Sequence, residues 1–156
     1  MNNAGVMALP SKELTQDGLE MQTGVNHFGH FLLTNLLMDP LLAAGRDSGD
    51  ARVVTLSSQA HLLALKGFNL DRPGLEEDGS YSAWGAYAQS KLANILFTRE
   101  LQGRLGPDAG VAAMAVHPGV VRTELGWVDG GPRGTPASPC ACRSPGARAL
   151  ARAHAF

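Results

Sequence analysis

At 156 residues, with 44% hydrophobic and 17% charged side chains, the chain has enough apolar material for the core of a single domain. A formal net charge of -1 gives no overall pull toward nucleic acid or anionic lipid. Two cysteines, Cys140 and Cys142, make neither a disulfide framework nor a zinc set, and no uncharged apolar run reaches the roughly 18–20 residues of a membrane span.

After NNAGVMALPSKEL, the residues TQDGLEMQ read as a helix start, with Thr15 as N-cap and Asp17 and Glu20 near the positive end of the dipole. A long helix is predicted through VNHFGHFLLTNLLMDPLL. Gly24, Asn26 and Gly29 interrupt that pattern, and each interior glycine costs about 1 kcal/mol relative to alanine. The segment therefore accepts a local defect, either for function or for close helix packing. His27 and His30 lie in the same apolar helix with no third ligand at useful spacing, which favours structural roles over a metal site.

RVVTLS, ending at Ser57, is short, β-branched and apolar, as a buried parallel strand would be. Ser57 and Ser58 stand at its carboxyl end, where ligands bind in open α/β folds, although serines also begin turns. Residues 61–85 hold Pro, Gly and an acidic triplet and read mostly as loop. A second long helix follows in GAYAQSKLANILFTREL, then the breaker GPDAG and a second buried strand, VAAMAV, ending at His117-Pro118-Gly119. This alternation of helix and strand is that of an α/β, doubly wound parallel sheet.

Tyr87 and Lys91, four residues apart, share one helical face. A cation within ~4–6 Å of a phenol can lower its pKa by ~1–3 units, which would make Tyr87 a proton donor and acceptor near neutral pH. From Asp129 the composition turns to Gly, Pro, Ala and Arg, and residues 128–156 are expected to be a disordered tail. Its arginines lack aromatic interleaving, so nucleic acid is not an expected partner.

In order along the chain, NNAG, VNHFGHFLLT, VVTLSS, YAQSK and HPGVVRTEL resemble the short-chain dehydrogenase/reductase family. VNHFGHFLLT and YAQSKLANILFTREL are similar to its retinol dehydrogenase-like branch. The match runs from about Asn2 to Leu125. It implies that residues 1–127 are the C-terminal part of a Rossmann-like domain, a partial doubly wound sheet without its first strands. By resemblance Asn26, Ser58, Tyr87 and Lys91 are the catalytic residues: Ser58 holds the substrate oxygen, Tyr87 handles its proton, Lys91 lowers the Tyr87 pKa and holds ribose, and Asn26 joins Lys91 to a water path. Asn2, Asn3, Ala4, Gly5, Tyr87, Lys91, Pro118, Gly119 and Thr123 would border the cofactor, NADP or NAD.

The implied activity is an NAD(P)-dependent interconversion of an alcohol and a carbonyl on a retinoid-like or other lipophilic substrate. The family's glycine-rich phosphate turn and the strand leading into NNAG are missing, which argues against cofactor binding by this chain. The alternative is a truncated, non-catalytic isoform or fragment that acts, if at all, through protein partners, such as a second copy or a full-length sibling. Losing half of a sheet that needs cover on both faces also predicts a marginal or aggregation-prone chain. The sequence leaves the compartment open: cytoplasmic for the chain as it stands, with membrane association reserved for a longer form.

Overall fold

The protein is described by a computed structural model over residues 1–121 and Leu125. The tail from residue 128, the domain boundary before it and Thr123 lie outside the described residues. Strand β1 (Ala51–Leu56) pairs in parallel with β2 (Val111–Val116), in register from Ala51 opposite Val111 to Leu56 opposite Val116. These are the two strands predicted from the apolar runs. Among the described residues the sheet is two-stranded and unclosed, a partial doubly wound α/β fold.

Among the described residues four α-helical segments accompany the strands: α1 (Met21–Thr23), α2 (Gly29–Leu36), α3 (Met38–Ser48) and α4 (Ala83–Leu105). The core joins Ala51, Val53 and Val111 of the strands to Leu41 and Leu42 of α3 and to Leu101 and Leu105 of α4. Burial of aliphatic side chains of this size contributes ~1.5–3 kcal/mol each. Helix α3 lies so close to the start of β2 that a Cβ on Gly45 would come within 2.6 Å of the Ala109 carbonyl oxygen, so glycine is required there.

Asn2 sits on the free edge of β1. Its N–H donates to the Val54 carbonyl at 2.7 Å and its carbonyl accepts from the Leu56 N–H at 3.0 Å, a one-residue parallel bridge opposite Thr55. The NNAG segment thereby occupies the position of a third strand for a single residue.

Two expectations about helix boundaries are corrected. The helix does not start at Thr15: residues 15–19 form a tight turn, in which Thr15 accepts from the Leu19 N–H at 3.2 Å, and the helix starts at Met21. Glu20 wins the cap because its carboxylate accepts from the N–H groups of Gln22 at 2.9 Å and Thr23 at 2.8 Å. The single long helix is also three pieces. Gly24–Phe28 winds as a π-turn, with the Gly29 N–H bonded to the Gly24 carbonyl, so the defect signalled by the glycines is real. The second break, at Leu37, follows from Pro40, which has no N–H for the Leu36 carbonyl and crowds it.

Of residues 61–85, expected mostly as loop, 64–82 are loop; a 3-10 turn at Gln59–Leu63 precedes them and α4 begins at Ala83. Helix α2 leaves Phe31, Leu32, Leu33 and Leu36 exposed. Among the described residues no helix is long and apolar enough to cross a membrane.

Candidate active site

The site lies where the carboxyl ends of β1 and β2, the π-turn and α4 meet. Because the strands are parallel, both end on the same side, and the Ser57 N–H bonds the Val116 carbonyl at 2.9 Å. Helix α4 is capped by Ser82, whose hydroxyl accepts from the Gly85 N–H at 3.2 Å. One turn further in, α4 presents Tyr87 and Lys91, 4% and 5% exposed.

The Lys91 ammonium lies 5.4 Å from the centre of the Tyr87 ring and donates to the Leu56 carbonyl at 3.3 Å. The Ser58 side chain lies beside the Tyr87 phenol, and its hydroxyl accepts from the Ala60 N–H at 3.2 Å. Ser57 is turned the other way, its hydroxyl donating to the Lys91 carbonyl at 2.8 Å, so it fastens α4 to β1. The choice between the two serines is thus a matter of orientation: Ser58 faces the phenol and Ser57 the helix backbone.

Asn26 is fully buried in the π-turn. Its Oδ1 accepts from the Val6 N–H at 2.8 Å, while its Nδ2 donates to the Val6 carbonyl at 2.9 Å and to the Ser90 Oγ at 3.0 Å. Ser90 in turn donates to the Tyr87 carbonyl at 2.7 Å. This carboxamide acts as a substitute strand partner for the segment after NNAG. Gly5 fits the same contact, since an added Cβ would sit 3.1 Å from Asn26 Oδ1.

Tyr87 and Lys91 are therefore in contact, Ser58 lies beside the phenol, and Asn26 is tied to this part of α4 through Ser90. The expected link from Asn26 to Lys91 takes another form: Asn94 spans the two, donating to the carbonyls of Asn26 and Leu56, each at 3.0 Å. Asn94 and Ser90 were not singled out from the sequence. The available signal was a polar residue at position i+3 and i+7 from Lys91 and Tyr87, on the buried stripe of an apolar helix.

The electrostatics differ from the expectation that Lys91 lowers the Tyr87 pKa. Burial pushes the Tyr87 phenol above its ordinary value, and the nearby Ser58 hydroxyl offsets only part of this. Burial also drives Lys91 down, to about 8. The cation is itself desolvated and lies against the ring, so it is a weak source of positive potential at the hydroxyl. His27 and His30 are both lowered, chiefly by burial, against bonds to Asn94 and to the Asn26 carbonyl. Both rings use Nδ1 inside the protein, at 3.1 Å in each case. Among the described residues no group of three or more His, Cys, Asp or Glu could hold a metal.

The remaining cofactor candidates are divided. Asn2 is buried, and its Nδ2 reaches the hydroxyls of Thr34 at 3.0 Å and Thr55 at 3.3 Å. Asn3 and Ala4 are exposed beside it, as are Pro118 and Gly119 after β2. Tyr87, Lys91 and the 117–119 turn fit the reacting end of a dinucleotide. The pyrophosphate end does not fit: among the described residues no glycine-rich turn leads from a strand into a helix. Two cavities of about 240 and 410 Å³ lie elsewhere, one beside Gly49, Gln102 and Gly110, the other beside Leu63, Phe68 and Gln89.

No family model matches the chain. Human retinol dehydrogenase 13 is 51% identical over 127 residues, covering 81% of this chain and 35% of that protein. Human polyprenol dehydrogenase is 48% identical over 126 residues, with 80% and 37% covered. A crystal structure of a short-chain dehydrogenase from Streptomyces avermitilis superposes with a TM-score of 0.50 at 25% identity, over 80% of this chain and 38% of the other. The chain thus spans about a third of the length of the curated relatives it matches. Shared sequence and fold lead to one assignment: the chain belongs to the short-chain dehydrogenase/reductase family, among its retinol and polyprenol dehydrogenase-like members.

Proposed function

We propose that this chain carries the acid–base half of an oxidoreductase site without the phosphate-binding half, and is catalytically silent as it stands. The carrying observation is the contrast between the buried Tyr87–Lys91 pair, with Ser58 beside the phenol and Asn26 bonded to Ser90, and the lack, among the described residues, of a phosphate-receiving turn. Any activity of the chain itself would then run through protein partners, with the exposed α2 face as the available surface.

The same residues are suited to interconverting a lipophilic alcohol and its carbonyl when the phosphate-binding half is supplied. Ser58 would hold the substrate oxygen, and Tyr87, protonated because it is buried, would give the carbonyl its proton or take it from the alcohol. Lys91, with a pKa of about 8, would support the phenolate as it forms and hold the ribose of NADP or NAD. Asn2, Asn3, Ala4, Gly5, Pro118, Gly119 and Thr123 would border that cofactor. The names of the relatives, retinol and polyprenol dehydrogenases, support a lipophilic alcohol as the substrate class.

The test is an NADPH fluorescence titration of this chain beside a version extended at its N-terminus with the phosphate-binding half of a relative. Saturable binding and reduction of a lipophilic aldehyde are expected only in the extended version, with turnover falling about 10²–10⁴-fold in Tyr87→Phe. Saturable NADPH binding by the short chain would overturn the silent reading.

A further inference from the structure

Asn94 donates both amide hydrogens to backbone carbonyls, those of Asn26 and Leu56 at 3.0 Å. Carbonyls only accept, so the amide nitrogen must face them and Oδ1 must face His27 Nδ1 at 3.1 Å. His27 therefore carries its proton on Nδ1, within a cage of Phe28, Phe31, Phe68 and Phe97. The Leu56 carbonyl is thus shared: Asn94 takes it at 3.0 Å, and the Lys91 ammonium reaches it at 3.3 Å.

We infer that Asn94, oriented by His27, is a positioning residue that claims the Leu56 carbonyl and so keeps the Lys91 amine weakly held and available to the neighbouring phenol. The inference rests on the reading of Lys91 as the cation of the acid–base pair. Without Asn94, the ammonium would gain the Leu56 carbonyl as an undivided, charge-assisted acceptor, which favours its charged form. This acts against the burial that lowers Lys91. The other titratable groups about the amine are Tyr87 on its own helix, His27 on the π-turn, His30 on α2 and, beyond His30, the Met1 amino group.

The chain has three lysines, Lys12, Lys66 and Lys91, so competitive acetylation read by peptide mass spectrometry follows Lys91 against two internal references. Asn94→Leu, which keeps the side-chain shape and removes the donors, is expected to lower Lys91 labelling at pH 7 by about three- to tenfold. Thr98→Val, which removes only a bond to the Asn94 carbonyl, should leave it unchanged. A purely structural role for Asn94 would open the site and increase labelling instead, and either an increase or no change overturns the inference. If Asn94→Leu loses its helical circular dichroism, the imidazole 15N spectrum of the unsubstituted protein decides. Protonation of His27 at Nδ1 supports the inference, and protonation at Nε2 sinks it. Neither readout needs turnover, so failure of aldehyde reduction in the extended chain would leave this result standing. Unchanged labelling would equally leave the acid–base reading intact.

Discussion

The inner and outer faces of the 24–37 segment are built on opposite terms. Inward, all four of Asn26, His27, His30 and Thr34 are buried and hydrogen-bonded: Asn26 to Val6 and Ser90, His27 to Asn94, His30 to the Asn26 carbonyl and Thr34 to the His30 carbonyl. Outward, Phe31, Leu32, Leu33 and Leu36 face solvent, Leu36 at 71% exposure. One face is polar yet complete, while the other is apolar yet uncovered. The contrast indicates that the site geometry is secured by local bonds within this chain, whereas its solubility depends on cover that the described residues do not supply.

The sharpest way to break this comparison is Asn26→Ala. It strips both partners from the Val6 backbone and one from Ser90, and unpaired buried groups cost about 1–3 kcal/mol each. A loss of about 3–4 kcal/mol in urea unfolding is expected, and a loss under about 1 kcal/mol would show that the inner network does not secure the fold.

Lys91→Met should move stability the other way. Lys91 falls from 10.5 unfolded to about 8 folded, so the unfolded chain holds more protons between those values and burial of the charge destabilises the fold below about pH 8. At pH 7 the substitution should therefore stabilise by up to about 3 kcal/mol. Stability of the unsubstituted chain should rise from pH 8 toward 10. Above that it should fall, because the raised Tyr87 keeps a proton in the folded state that the unfolded state has lost. A flat profile from pH 8 to 10 would contradict the buried placement of the amine.

A smaller effect is expected in acid. The lowered pKa values of His27 and His30 mean that the unfolded chain binds protons first, so stability should decline as pH falls below about 6.5. His27→Gln should weaken that decline in a thermal-melt series. The smallest effect on stability belongs to the outer face. Leu32→Lys with Leu36→Lys should change unfolding free energy by no more than about 0.5 kcal/mol while raising the monomer fraction in sedimentation. A large loss of stability would show that this face is packed.

The strands and the π-turn defect were legible because short β-branched runs and interior glycines carry local signals, as in RVVTLS and GVNHFG. The true helix start was not: Thr15 and Glu20 both suit a cap, and the choice depends on the turn at residues 15–19 that folds back on Glu20. Helical spacing made the meeting of Tyr87 and Lys91 legible, whereas Ser58 and Asn26 as site residues came from resemblance. Asn94 escaped notice because its role depends on two carbonyls, of Leu56 and Asn26, that come together only in the fold. The direction of the Tyr87 shift was misjudged for a related reason: spacing shows that a cation is near but not that both groups are buried.

A titration of 13Cζ-labelled tyrosine most directly tests whether the acid–base cluster is preassembled in this chain. Tyr87, one of two tyrosines, should keep its proton past pH 10, and Ser58→Ala should drive its midpoint higher still. A Tyr87 midpoint at or below 10, indifferent to Ser58, would mean that the phenol stands in solvent and that the cluster is not formed.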